Sequence, residues 1–137
     1  METISIQKAI FQVEITSPFV TFWQNQDFTN AVADSSGIFA ISSQQEAIYW
    51  LKNSGERTSL TMPEKITAIS TAKPHHLLVG TNQGIYLLDY TTSEKRLVSP
   101  LVDPVSIIPD KRQAHIFYVA DINHLYIMEL KSERLHM

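Results

Sequence analysis

The chain has 137 residues, 44% of them hydrophobic and 18% charged, with a formal net charge of −3. That is enough apolar material for one core in one domain and excludes wholesale disorder. Its Lys and Arg residues are dispersed, which leaves no basic footprint for nucleic acid, and the absence of cysteine excludes a disulfide framework and a Cys-based zinc site.

In chain order, residues 2–24 alternate polar and apolar positions through Ile4, Ile6, Phe11, Val13, Ile15, Phe19 and Phe22, and read as two or three strands. That alternation is unlike the unbroken apolar stretch of a signal peptide, and no run approaches the about 18 apolar residues of a membrane span, so the expectation is a soluble, intracellular, cytoplasmic chain.

From Asn30 onward, apolar runs of four to six residues are broken by short clusters of Asn, Ser, Thr, Gly, Asp or Pro. This is the strand-and-turn pattern. The best helical candidate is Ser43–Lys52, but Ile48-Tyr49-Trp50-Leu51 is contiguous and lacks helical spacing, so a buried strand is expected there.

The runs recur. Ala47–Leu51 matches Gly84–Leu88 at a spacing of 37 residues, and continuing backwards without a gap puts Phe39-Ala40-Ile41 on His76-Leu77-Leu78 and Asn30-Ala31-Val32 on Thr67-Ala68-Ile69. A third copy places Leu125–Met128 on Ile85–Leu88 and Ile116–Tyr118 on His76–Leu78 at 40 residues, with Val105–Ile108 on Ile66–Ile69 at 39. A rival spacing of 47, putting Gly37-Ile38-Phe39 on Gly84-Ile85-Tyr86, strands Ile48–Leu51 without a counterpart.

Four short strands in 37 to 40 residues approach the ~40–45 residues of a propeller blade. The expected fold is all-β: a partial β-propeller of about three four-stranded antiparallel blades at 28–64, 65–104 and 105–137, with strands in 2–24 completing or capping a blade. The alternative is a β-sandwich whose strands happen to recur. Within each copy the first strand is small, the second and third are apolar throughout, and the fourth is polar, as in Arg57–Thr61 and Lys95–Ser99. Polar fourth strands suit an exposed outer edge.

The segment His76-Leu77-Leu78-Val79-Gly80-Thr81-Asn82-Gln83-Gly84-Ile85-Tyr86-Leu87-Leu88-Asp89 resembles the blade core of WD40-like, citron-homology and two-component-regulator propellers. In these a strand ending in Gly-Thr is followed by a turn and a Gly-Ile/Leu-Tyr strand. The chain departs from true WD40 repeats in having neither the Gly-His pair nor the Trp-Asp dipeptide, since Leu51 follows Trp50. The resemblance implies a non-enzymatic scaffold that binds proteins through its loop faces.

Candidate chemistry is sparse. His75 and His76 are adjacent on an extended segment and point to opposite faces, while His115, His124 and His136 lie elsewhere, so no metal and no cofactor are expected. Asp34-Ser35-Ser36-Gly37 lacks the frame of a nucleophile elbow or a phosphate loop and reads as a turn. Asp103, Asp110, Asp121 and Glu129 are spread over separate strands and turns. Trp50 reads as core and Trp23 as either core or anchor. The expectation is therefore no catalytic residues and no enzyme activity, with Glu46, Glu64, Lys65, Asn82, Gln83 and Asp103, on loops at one end of the blades, as the candidate protein-binding residues.

About three and a half blades leave both terminal blade faces uncovered. The chain is therefore expected either to be the N-terminal part of a larger β-propeller protein or to close by association with a protein partner or a second copy, as two half-rings would. The alternative function is a ligand-sensing or catalytic domain using the central channel, which needs polar groups on the innermost strands.

Overall fold

The structure is a computed structural model that describes residues 28–131. The strands expected in 2–24, Trp23 and His136 lie outside the described residues.

The described residues are all-β, with no helix among them. The strands are β1 (Phe28–Asp34), β2 (Gly37–Ser42), β3 (Ala47–Lys52), β4 (Arg57–Thr61), β5 (Ile66–Thr71), β6 (His76–Thr81), β7 (Gly84–Asp89), β8 (Glu94–Ser99), β9 (Ser106–Pro109), β10 (Ile116–Ala120) and β11 (Leu125–Glu129). They form three antiparallel sheets in simple meander order, β1-β2-β3-β4, β5-β6-β7-β8 and β9-β10-β11. Every expected strand from Asn30 to Met128 is present, and Ser43–Lys52 is a turn followed by β3.

Two cores lie between the three sheets. The first gathers Phe39, Ile41, Ile48 and Trp50 from the first sheet with Ile69, Leu77, Val79, Leu88 and Tyr90 from the second sheet and its following turn. The second gathers Ala68, Leu78, Ile85 and Leu87 from the second sheet with Ile107, Phe117 and Val119 from the third. The middle sheet is thus covered on both sides. Successive side chains of a strand point to opposite faces, so Leu77 and Val79 of β6 enter the first core while Leu78 between them enters the second. Double coverage is why β6 and β7 read as unbroken apolar runs rather than alternating ones.

The sheets approach most closely at their first strands, where β5 lies against both β1 and β9. The fourth strands β4 and β8 are largely exposed, which is where the polar sequences Arg57–Thr61 and Glu94–Ser99 belong.

Pairing registers show which residues of the three sheets occupy equivalent places. β3 and β7 correspond at 37 residues and share one burial pattern, position for position. Phe39 pairs with Trp50, and Leu78 pairs with Leu87, so Phe39 corresponds to Leu78, 39 residues on, and not to His76. The extra two residues arise in the turns, four residues at Ser43–Glu46 against two at Asn82–Gln83. In the third sheet, Val119 pairs with Ile107 as Val79 pairs with Ile69, a spacing of 38 rather than 39. That single step decides faces: Ile107 is 5% exposed and Ile108 is 56% exposed. β1 and β5 also carry a bulge at the same place, between Phe28 and Asn30 and between Ile66 and Ala68.

The turn Asp34–Gly37 anchors the first two sheets to each other. The Tyr90 hydroxyl donates to Asp34 Oδ2 at 2.7 Å and lies 3.0 Å from the Ser36 hydroxyl. The Trp50 indole donates to the Ser36 carbonyl at 3.2 Å. Burial pushes the Tyr90 phenol up from its ordinary value. Trp50 is 8% exposed and stacks on Phe39, as its reading as core expects.

Candidate functional site

The turns that follow the second strands and the connections that enter the first strands share one end of the molecule. Ser42 and Thr81, the last residues of β2 and β6, and Asp121, the residue after β10, open the turns to the third strands. The Thr81 hydroxyl donates to the Gly84 carbonyl at 2.8 Å and accepts from the Gln83 amide at 3.0 Å. Asp121 does the same work with a carboxylate, accepting from the Asn123 amide at 2.8 Å and the His124 amide at 2.7 Å. Those amides, led by Asn123, hold its carboxyl below the usual range. The longer turn at Ser42 leaves that hydroxyl buried without a partner.

Five of the six sequence-predicted residues stand exposed at this end, namely Glu46, Lys65, Asn82, Gln83 and Asp103. Lys65 and Asn82 are joined: the Lys65 amide donates to Asn82 Oδ1 at 3.2 Å, and the Asn82 amide donates to the Lys65 carbonyl at 3.0 Å. The Asp103 amide donates to the Thr81 carbonyl at 2.9 Å, with Asp103 held at a positive φ of 54°. Next to Glu46, Gln45 exchanges two bonds with Ile66, tying the first sheet to the start of the second. Glu64 is placed differently. Its carboxylate pairs with Lys95 Nζ at 2.6 Å, and the Lys95 ammonium also sits 4.6 Å from the centre of the Tyr86 ring. Burial opposes ionisation of Glu64, yet Lys95 with the neighbouring hydrogen bonds holds its carboxyl below the ordinary value. Glu64 therefore binds β8 to the connection between the sheets. At this end the side chains of Asn82 and Gln45 and the backbone of Lys65 and Asp103 hold the turns.

The histidines take carboxylate neighbours singly, His76 with Asp89, His115 with Glu129 and His124 with Asp121. Among the described residues no three His, Cys, Asp or Glu side chains gather as metal ligands. Asp110 accepts from the Tyr118 hydroxyl at 2.6 Å and from the Arg112 and Gln113 amides, and these bonds, led by that of Tyr118, hold its carboxyl below its ordinary value.

An exposed apolar surface lies elsewhere, on the outer side of the third sheet. Tyr118 pairs with Ile108 on one side and Ile127 on the other, and the neighbouring row is Ser106, Ala120 and Leu125. Leu125 is 73% exposed, Ile127 72% and Ile108 56%. Their neighbours Phe117 and Val119, pointing the other way from β10, are 0% and 1% exposed. The counterparts of Leu125 and Ile127 on the middle sheet, 40 residues earlier, are Ile85 and Leu87, at 0% and 5%. These two strand positions are thus core in the middle sheet and surface in the third. The apolar strand Leu125–Met128 was visible in the sequence; which of its residues face outward, with Tyr118 and Ile108 beside them, follows only from the observed register.

No family model and no curated protein matches this chain. Among the described residues, no helix is long and apolar enough to cross a membrane.

Proposed function

We propose that the chain is a non-catalytic protein-interaction module, a run of β-propeller blades that docks a protein partner on the outer face of the third sheet. The observation that carries this reading is the exposure of Leu125 and Ile127, whose counterparts Ile85 and Leu87 are core in the middle sheet, with exposed Ile108 on the same side. A contiguous apolar patch of this kind on a soluble domain marks a surface that another protein covers. The blade reading is supported by the shared meander order, the bulge common to β1 and β5, and the close approach of β5 to β1 and β9, as first strands around an axis would make. Scaffold function agrees with the WD40-like and citron-homology-like blade core of residues 76–89.

The channel alternative has less to draw on. The Ser70 hydroxyl on β5 donates to the Thr71 carbonyl at 2.9 Å, and the Thr67 hydroxyl is buried without a partner, so the innermost strand of the middle sheet presents no convergent polar set.

The test is a photoreactive amino acid placed at position 127 of the full chain in living cells, with position 56 as the exposed control. Cross-linking to protein from position 127 and not from position 56 is the expected result. Absence of any protein adduct at position 127 overturns the docking surface.

A further inference from the structure

We infer that residues 2–24 cover the outer side of the first sheet, so that this terminal sheet is capped from within the chain while the third is left open to a partner. The docking surface on the third sheet lies on the other side of the middle sheet and is not involved.

Side chains of the first sheet divide between two sides. Phe39, Ile41, Ile48 and Trp50 enter the first core with the second sheet. Ile38, Ala40, Ala47, Tyr49 and Leu51 alternate with them and point the other way. Neither core includes Ala47 or Leu51. Yet Leu51 is 9% exposed and Ala47 7%. The third sheet shows what an uncovered side looks like, since Leu125 and Ile127 on its own third strand are 73% and 72% exposed. Leu51 is therefore covered. Around it, the Phe28 ring meets the Tyr49 ring edge-on at 5.5 Å, and Arg57 pairs with Leu51 on the same side. Phe28, Tyr49 and Arg57 each have a further interaction partner. The cover is a strip along β3, because Ala31 and Ala33 are exposed and Ile38 is 44% exposed.

The occupant follows from where the chain leads. Residues 1–27 run directly into Phe28, the first residue of β1 and a neighbour of Tyr49. Residues 132–137 leave from beyond β11, in the sheet on the far side of the middle one. Within the leading segment, Phe11-Gln12-Val13-Glu14-Ile15 alternates strictly and offers its apolar side chains to one side. The residues between Ile15 and Phe28 reach up to about 40 Å when extended, and β3 lies only about 10 Å from β1 across the sheet. Phe11, Val13 and Ile15 supply the apolar cover over Ala47, Tyr49 and Leu51. Stacked repeats need a cap of this kind at an end that engages no neighbour. A capped first sheet and an open third give the chain a direction, so that a partner is taken at one end and copies do not add head to tail.

Hydroxyl-radical footprinting of the full chain at low concentration reads the cover. In the wild type, Leu51 is expected to be protected while Ile127 is strongly labelled. Phe11→Asp, Val13→Asp and Ile15→Asp combined are expected to raise labelling of Leu51 about eight-fold, as 72% against 9% exposure implies, with Phe39 in the first core still protected. A wild-type Leu51 labelled like Ile127, or a Leu51 still protected in the variant, overturns the cap. Should the variant expose Phe39 as well and so prove unfolded, Ile15→Cys decides, since the chain has no other cysteine to take a nitroxide label. Magnetic resonance signals of Tyr49 and Leu51 are expected to be lost in the molecule that carries the label. Retention of those signals overturns the cap, and so does their loss only in unlabelled molecules mixed with labelled ones, which places a second copy on this side instead.

Discussion

Phe39→Ala is expected to lower the unfolding free energy by about 4 kcal/mol, near the upper end of what removal of a buried aromatic costs. Phe39 is 0% exposed and lies at the centre of the first core, its ring 5.3 Å from that of Trp50 and 4.8 Å from that of Tyr90. Trp50 and Tyr90 are fixed independently by the turn at Asp34–Gly37, through the indole bond to Ser36 and the phenol bond to Asp34. They cannot collapse into the space without giving up those bonds, so the cavity persists and the loss stays large. Urea denaturation followed by circular dichroism measures it, with Ile122→Ala, at a position 84% exposed, expected to move stability by no more than about 0.5 kcal/mol. Equal effects from the two substitutions contradict the first core as described.

Gly84→Ala is expected to cost about 3 kcal/mol. Gly84 opens β7 at φ +141°, a region that side-chain-bearing residues rarely adopt, and a Cβ there would meet the Ser99 carbonyl oxygen and Leu97 Cδ1, each at 2.6 Å. The Ser99 contact is backbone, and Ser99 pairs with Ile85 in the β7–β8 ladder, so relief requires moving a strand. Gly55 separates the two contributions. It sits at φ +94° with nothing within 4 Å of its would-be Cβ, so Gly55→Ala carries backbone strain alone, about 1 kcal/mol. The same denaturation series checks the order. A Gly55 variant as costly as the Gly84 variant shows that the turn conformation, and not the approach of β8, sets the requirement for glycine.

The strands were legible because apolar runs such as Ile85–Leu88 stand between turn residues, and the recurrence of such runs pointed to repeated sheets. The register was not. Two turns of different length shift the correspondence of β2 with β6 by two residues, and a turn length leaves no mark in the apolar pattern of the strands it joins. The one-residue difference at β9 exchanged Ile107 for Ile108 as the buried residue, and isoleucine at both positions hides the exchange from the sequence. Glu64 looked like a loop carboxylate because its partner Lys95 stands 31 residues away on another strand, beyond any local pattern. The uncovered terminal face was foreseeable from counting sheets, and Leu125–Met128 was visible as an apolar strand. Identifying Tyr118, Leu125 and Ile127 as its outward residues needed the pairing of β10 with β11.

Hydroxyl-radical footprinting of side chains, in the diluted chain and in its assembled state, most directly tests the outer face of the third sheet as the docking surface. The account predicts strong labelling of Leu125 and Ile127 on dilution and its loss on assembly, with Lys65 and Gln83 at the turn end unchanged. Undiminished labelling of Leu125 and Ile127, with protection appearing around Glu46, Lys65, Asn82, Gln83 and Asp103 instead, would contradict it and place the partner on the loops.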